Sequence, residues 1–193
     1  MAASALLFDL DGTVWDSYPC YAAALHSRLG ITRDVAVARL RAGENAVRLA
    51  RGCGLTDTSF SRLCRDSLGE LQFYPDVLKT LDNLRQRGAQ IGVVTSLPKW
   101  LAGSLLVELR VMPYLSTAVY AARKPSPTGI INAVSELRLE PGEVVYYVGD
   151  MPSDAQAARR ADVSFAWASY GYCDGRPVDA DAVLDRFSDV LDL

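Results

Sequence analysis

Two carboxylates stand one residue apart where the first apolar run of the chain stops. Ala5–Phe8 leads into Asp9, then Leu10, Asp11, Gly12 and Thr13. A second apolar run, residues 144–148, leads into Gly149 and Asp150, with Asp154 soon after. Between these, the run at 90–94 ends in Thr95 and Ser96, and that at 117–122 is followed by Arg123, Lys124 and Pro125. Each piece has a plain explanation by itself. Asp-Gly is a common turn, Thr-Ser ahead of Pro98 suits a helix cap, and a lysine before proline is ordinary at a surface. A calcium loop is excluded, because Gly12 comes too early and the further spaced ligands are missing. The conjunction of hydroxyls, a lysine and four carboxylates at consecutive run ends points to a shared site.

Two carboxylates ~4 Å apart repel by roughly 4 kcal/mol at an effective dielectric of ~20, so a positive partner is required. Lysine occurs only as Lys79, Lys99 and Lys124 among 20 basic residues, the others being arginine. A compact point charge at Lys124 is therefore a specific choice. A hard divalent cation completes the balance. Mg²⁺ takes one or two carboxylates, a carbonyl, waters and a phosphate oxygen. A dianionic phosphate fits the rest, with Thr95 and backbone amides as donors and Lys124 as counter-charge.

The surrounding patterns predict the elements that must carry these residues. Residues 4–9, 90–96, 117–122, 144–150 and 163–169 read as strands whose continuous apolar character suits a parallel sheet covered on both faces. Helices are expected after Pro75 up to Gly88, from Pro98 to about Arg110, over 127–138, from an N-cap at Ser153, and around 180–187. Residues 16–73 read as helical throughout, punctuated by Gly30, Gly43, Gly52 and Gly54, with no strand needed. Residues 171–179 are the most loop-like internal stretch. The expectation is an α/β fold. A doubly wound, Rossmann-like parallel sheet is formed by 1–15 and 74–193, and an all-helical cap of residues 16–73 is inserted after the first strand. Ligands of such sheets bind beyond the carboxyl ends of the strands, which is where the polar residues above fall.

The 193 residues, 50% hydrophobic and 22% charged, suit one domain with an insertion. A formal net charge of −3 offers no basic field to nucleic acid or an anionic membrane. No apolar stretch approaches a membrane span, and the N-terminus lacks a signal-peptide pattern, so a cytoplasmic protein is expected. Cys20, Cys53, Cys64 and Cys173 have neither zinc nor redox-pair spacing and read as thiols of a reducing compartment. With one histidine, His26, and no nucleophile elbow, catalysis must run on carboxylates, hydroxyls and lysine.

The order DLDGT at 9–13, VVTS ending at Ser96, RKP around Lys124 and GDMPSD at 149–154 resembles the haloacid dehalogenase-like hydrolases, in their phosphatase branch. YPDV at 74–77 and WASYGY at 167–172 extend the likeness over nearly the whole chain. The resemblance implies Asp9 as nucleophile and Asp11 as general acid and base. Thr95 and Lys124 would be catalytic, holding the phosphoryl group. Mg²⁺ would be held by Asp9, the backbone carbonyl of Asp11, and Asp150. Gly12, Ser96 and Asp154 would be supporting residues, with Ser153 assisting. The substrate would be a small-molecule phosphate ester, with no nucleic-acid or membrane partner, and the protein a monomer or homodimer. Asp11 disfavours dehalogenation, which lacks this second aspartate. A phosphomutase shares all four motifs, and a non-catalytic phospho-acceptor shares the aspartate, metal and lysine but needs no acid beside them. Asp76 stands where many relatives have glycine. Arg41, Arg48, Arg51, Trp15, Tyr18 and Trp100 could face a substrate, but solvated helix faces and core packing explain them as well.

Overall fold

The computed structural model describes residues 3–29, 31–42, 44–173 and 179–193. Gly30 and Gly43, read above as punctuation, and the middle of the 171–179 loop lie outside the described residues.

The first strand, β1 (Ala5–Phe8), is buried on both faces, and its alternating side chains enter two different cores. Leu6 and Phe8 join one apolar cluster, while Ala5 and Leu7 join the other. That is the physical reason for an unbroken apolar run. The strands β4 (Gln90–Val94), β5 (Thr117–Val119), β6 (Val145–Gly149), β7 (Ser164–Ala168) and β8 (Ala182–Leu184) complete a parallel sheet in the order β5-β4-β1-β6-β7-β8. Helices α5 (Val77–Gln86) and α6 (Lys99–Glu108) cover one face. Helices α7 (Thr128–Glu136) and α8 (Pro152–Arg160) cover the other. This is the expected doubly wound α/β architecture.

Between β1 and β4 lie four further helices, α1 (Tyr18–Leu29), α2 (Arg33–Arg41), α3 (Ala46–Gly52) and α4 (Asp57–Asp66). Thr32, Asn45 and Thr56 cap the last three by accepting backbone N–H bonds. Their apolar sides continue the same cluster that Leu6 and Phe8 enter, through Tyr21, Leu25, Leu40 and Phe60. Helix α4 also lies against α6, where the Ser61 hydroxyl donates to the Trp100 carbonyl at 3.4 Å.

The structure departs from expectation in several elements. The span 16–73 is not wholly strand-free: β2 (Trp15–Asp16) and β3 (Gln72–Phe73) pair antiparallel where the chain enters and leaves the helices. The stretch around 180–187 is not a helix. Ala182 and Leu184 alternate with exposed Val183, so β8 extends the sheet, and a 3-10 turn (Phe187–Asp192) comes after it, with Phe187 against Phe8 at 5.3 Å between rings. The strand at 117–122 stops at Val119, because Ala121 turns to a φ of 55°. Helix α6 ends at Glu108, before the left-handed Arg110. Helix α8 starts at Pro152, so Ser153 is not its N-cap. The helix after Pro75 begins at Val77, and Gly88 ends it as expected, with a φ of 81°. Among the described residues no helix is long and apolar enough to cross a membrane.

Asp76, just before α5, has a φ of 61°. The left-handed region suits glycine and is tolerated by aspartate. Asp76→Gly is expected to leave stability intact or raise it, whereas Asp76→Val should lower it by about 1–2 kcal/mol. Urea denaturation of the two variants against the parent chain measures this.

Candidate active site

Register carries Asp9 to the site. Phe8 is paired with Val93 on one side and Val148 on the other. One step further Asp9 leaves the strand, and Thr95 and Asp150, two steps past Val93 and Val148, emerge at the same edge. The Asp9 N–H still bonds the Val148 carbonyl at 2.9 Å, which holds the aspartate in the sheet's frame. The chain then folds sharply. Three successive amides, of Thr13, Val14 and Trp15, point at the Leu10 carbonyl. Gly12 sits at a φ of 79°, and a Cβ there would collide with the Asp150 carboxylate. Thr13 has a buried hydroxyl with no partner among the described residues. Its carbonyl is used instead, accepting from Tyr170 Oη at 2.9 Å.

Three of the four carboxylates converge. Asp9, Asp150 and Asp154 each offer an oxygen within 4.8 Å of the others, and all three are buried. Lys124, whose side chain is 6% exposed, answers them. Its Nζ lies 2.7 Å from Asp9 Oδ2 and 2.6 Å from Asp154 Oδ1, and it donates to Tyr147 Oη at 3.3 Å. Tyr147 Oη in turn faces the Val94 carbonyl at 3.0 Å and Asp154 Oδ1 at 3.2 Å. Asp154 Oδ2 accepts the Met151 N–H at 2.9 Å at the start of α8. Both Asp154 oxygens are therefore occupied by protein. Asp150 differs: Oδ2 accepts the Tyr172 N–H at 2.8 Å, while Oδ1 is buried with no partner among the described residues.

That unpartnered oxygen tests the fit of a metal. A buried carboxylate oxygen without a donor is costly unless a cation meets it. Asp9 and Asp150 supply hard oxygen ligands of the kind a divalent cation takes. Asp154 is placed to support the site through Lys124 and α8.

Asp11 stands apart. Its carboxylate turns toward β2 and α1: Trp15 Nε1 of β2 donates to Oδ1 at 2.9 Å, and Tyr21 Oη of α1 lies 3.2 Å from Oδ1 and 3.1 Å from Oδ2. The two acids at 9 and 11 thus face different surroundings. Thr95 is buried at the end of β4, its Oγ1 accepting the Leu97 N–H at 3.2 Å, so the hydroxyl keeps its hydrogen to donate. Ser96 is exposed. Trp15 is fully buried and lines no open wall, and Arg51 is tied to Asp57 at 2.6 Å on the surface.

Burial pushes the Asp9 carboxyl up to about 7, with Lys124 opposing and Asp154 adding to the rise. Burial, then Asp154 and Asp9, push Asp150 well above the usual carboxylate range. Burial also raises Asp11, against the Trp15, Ser17 and Tyr21 contacts that lower it. For Lys124 burial would favour the neutral amine, but the Asp154 and Asp9 charges outweigh it and hold the ammonium well above its ordinary value.

Tyr147, Trp15, Tyr21 and Tyr172 touch the site residues without being among those the sequence singles out for the site. Trp15 reads from sequence as a substrate wall or core, and the signal for its contact is its place four residues after Asp11. Tyr147 carries no signal, since an aromatic in an apolar strand reads as core.

The fold and site together define a class: a parallel α/β enzyme with buried acids and a lysine at the carboxyl edge of its sheet. Comparison with known proteins narrows it. The profile of the haloacid dehalogenase-like hydrolases matches residues 3–162. A phosphoglycolate phosphatase of Rhodospirillum rubrum is 32% identical over 215 residues, covering 98% of this chain and 88% of its own. One from Pectobacterium atrosepticum is 31% identical over 224 residues, covering 100% and 92%. The crystal structure of a HAD phosphatase from Thermococcus onnurineus matches with a TM-score of 0.73 at 27% identity, over 98% of this chain and 96% of that one. The chain belongs to the haloacid dehalogenase-like hydrolases, in their phosphatase branch, and is an enzyme of the phosphoric monoester hydrolase class.

The raised Asp9 carboxyl has a consequence for stability. A carboxyl at about 7 in the folded state, against 3.8 ordinarily, holds its proton more tightly when folded. Its stabilising contribution is complete below the lower value and is lost as pH rises through the upper one. Metal-free protein is expected to resist urea better at pH ~5 than at pH ~8, with Asp9→Asn narrowing the difference. Urea midpoints at the two pH values in a chelator check this.

Proposed function

We propose that the chain is a Mg²⁺-dependent phosphatase acting on a small-molecule phosphomonoester through an aspartyl-phosphate on Asp9. The observation that carries this reading is the split environment of the two acids. Asp9 is buried against Lys124, and Asp11 is held separately by Trp15 and Tyr21. One acid is thus placed to attack and the other to move protons.

In the proposed reaction an Asp9 oxygen attacks phosphorus, and the bond from phosphorus to the ester oxygen breaks. Asp11 gives its proton to that leaving oxygen. Its raised affinity for protons suits an acid. In the second step Asp11 takes a proton from water as the water oxygen attacks phosphorus. The bond to Asp9 then breaks, returning the free carboxylate and releasing phosphate. Lys124 holds the Asp9 carboxylate and balances the phosphoryl charge, while the Thr95 hydroxyl and the amide of Ser96 donate to its oxygens. Asp9, the Asp11 carbonyl and Asp150 would hold Mg²⁺, which when bound neutralises phosphoryl oxygens and lowers the repulsion between the two anions. Asp154 keeps Lys124 and the start of α8 in place. Gly12 lets the bend pass beside Asp150.

The helices of residues 16–73 act in this reading as a cap over the core formed by 1–15 and 74–193, excluding water and selecting substrate. Curated relatives are named phosphoglycolate phosphatases, which makes phosphoglycolate the first substrate to try. The protein is read as cytoplasmic, a monomer or homodimer, with no nucleic-acid or membrane partner.

Phosphate release from a panel of phosphometabolites, phosphoglycolate included, is expected with Mg²⁺ and not with a chelator. Asp9→Asn should abolish turnover, and retained activity would refute the nucleophile. Asp11→Asn should slow turnover by about 10²–10⁴-fold. Hexose phosphates analysed for isomerised product separate hydrolysis from phosphoryl transfer.

A further inference from the structure

Tyr172 joins the carboxylate site to the place where the chain crosses into the helices. Its N–H donates to Asp150 Oδ2 at 2.8 Å, which leaves Oδ1 of that carboxylate as the unpartnered oxygen. Its Oη accepts the Ser17 N–H at 2.8 Å and donates to Asp16 Oδ1 at 2.9 Å. Its ring stacks on Tyr18 at 3.8 Å between centroids and 12° between planes. Asp16 ends β2, Tyr18 begins α1, and Asp16 is paired with Gln72 on the returning strand. Tyr172 therefore grips the crossing between core and helices with its side chain, and a site carboxylate with its backbone.

The grip has little slack. A Cβ on Gly12 would lie 2.8 Å from the Tyr172 ring, and one on Gly171 would collide with both Asp150 and the Gly12 carbonyl. Two residues earlier, Tyr170 Oη is fastened to the Thr13 carbonyl. The hydroxyl at one end and the amide that holds Asp150 at the other are thus engaged at the same time. Both hydrogen-bonding directions of the Tyr172 hydroxyl are in use, so neither end is spare.

We propose that Tyr172 is a positioning residue that couples cation binding at Asp150 to the seating of the helical cap on the core. The proposal rests on the metal and cap reading given under Proposed function. A cation on Asp150 Oδ1 fixes the carboxylate, hence the Tyr172 amide, hence the hydroxyl on Asp16 and Ser17. Linkage makes the effect reciprocal: a seated crossing strengthens cation binding by the same factor.

The test uses the full chain and Mg²⁺ alone. Calorimetric titration gives the affinity, and hydrogen exchange with and without Mg²⁺ reads the peptides covering 13–18 and 70–76. Tyr172→Phe keeps the ring, the stacking and the backbone N–H, and removes only the hydroxyl. In the parent chain Mg²⁺ should slow exchange in both peptides. In Tyr172→Phe, Mg²⁺ affinity should fall about fivefold and the Mg²⁺-dependent protection should vanish. Asp16→Ala, which removes the other end of the same bond, should do likewise and serves if the first variant folds poorly. Parent-like affinity, or parent-like protection by Mg²⁺, in both variants overturns the coupling while leaving the phosphatase reading standing. A parent chain that binds no Mg²⁺ overturns the metal reading and this proposal together.

Discussion

One buried ammonium governs the arrangement of the site. Lys124 lies between Asp9 and Asp154 with both contacts under 3 Å. Removing its charge would leave two buried carboxylates facing each other and a third, Asp150, close by. An uncompensated buried charge costs several kcal/mol, more than most single contacts return. The neighbouring features answer this requirement. Tyr147 fills the third direction of the ammonium, and its hydroxyl connects the Lys124 loop to the end of β4. Asp154 is placed by the first turn of α8, where the Met151 amide takes its other oxygen. The helix start, the strand end and the lysine loop are thereby held to a common centre.

The parallel sheet supplies the second constraint. Because β4 and β6 flank β1 in fixed register, residues just past each strand end arrive side by side. This is why most of the site is legible in the sequence. Asp9, Thr95, Lys124, Asp150 and Asp154 each stand at or shortly beyond the end of an apolar run, and the sheet brings those ends to one edge. Parallel strands also explain why the runs are continuous, as with Ala5 to Phe8 feeding two cores. The illegible parts depend on contacts across the fold. Tyr147 looks like core because its strand is apolar. Tyr21 gives no sign that its hydroxyl reaches Asp11. The β2–β3 pairing is two residues long on each side, too short for any periodicity to register. The few apolar residues of β8 fit a helical face as readily as an alternation, and only the edge of β7 decides between them.

The helical insertion is continuous with the core in its packing. Tyr21, Leu25, Leu40 and Phe60 belong to the cluster that includes Leu6 and Phe8. Large apolar clusters resist partial separation, since exposed apolar area costs about 25 cal/mol per Å². The insertion therefore adds to the stability of the chain. Polar contacts between the parts are made at particular places, among them Ser61 on Trp100, Tyr21 on Asp11, and Tyr172 on the crossing.

The antiparallel pairing of Trp15 with Phe73 and Asp16 with Gln72 puts the two attachment points of the insertion next to each other. Topologically, the helices hang from the core as a loop hangs from a hairpin. Exchanging the segment between the two strands would keep its attachment points side by side, but would give up the Tyr21 contact to Asp11 and the Tyr172 contacts to Ser17 and Tyr18. The same two-strand stem could carry segments of different size. On the cap reading proposed above, a change of substrate choice would be made on two adjoining backbone ends, with the contacts to Asp11 and Tyr172 rebuilt alongside it.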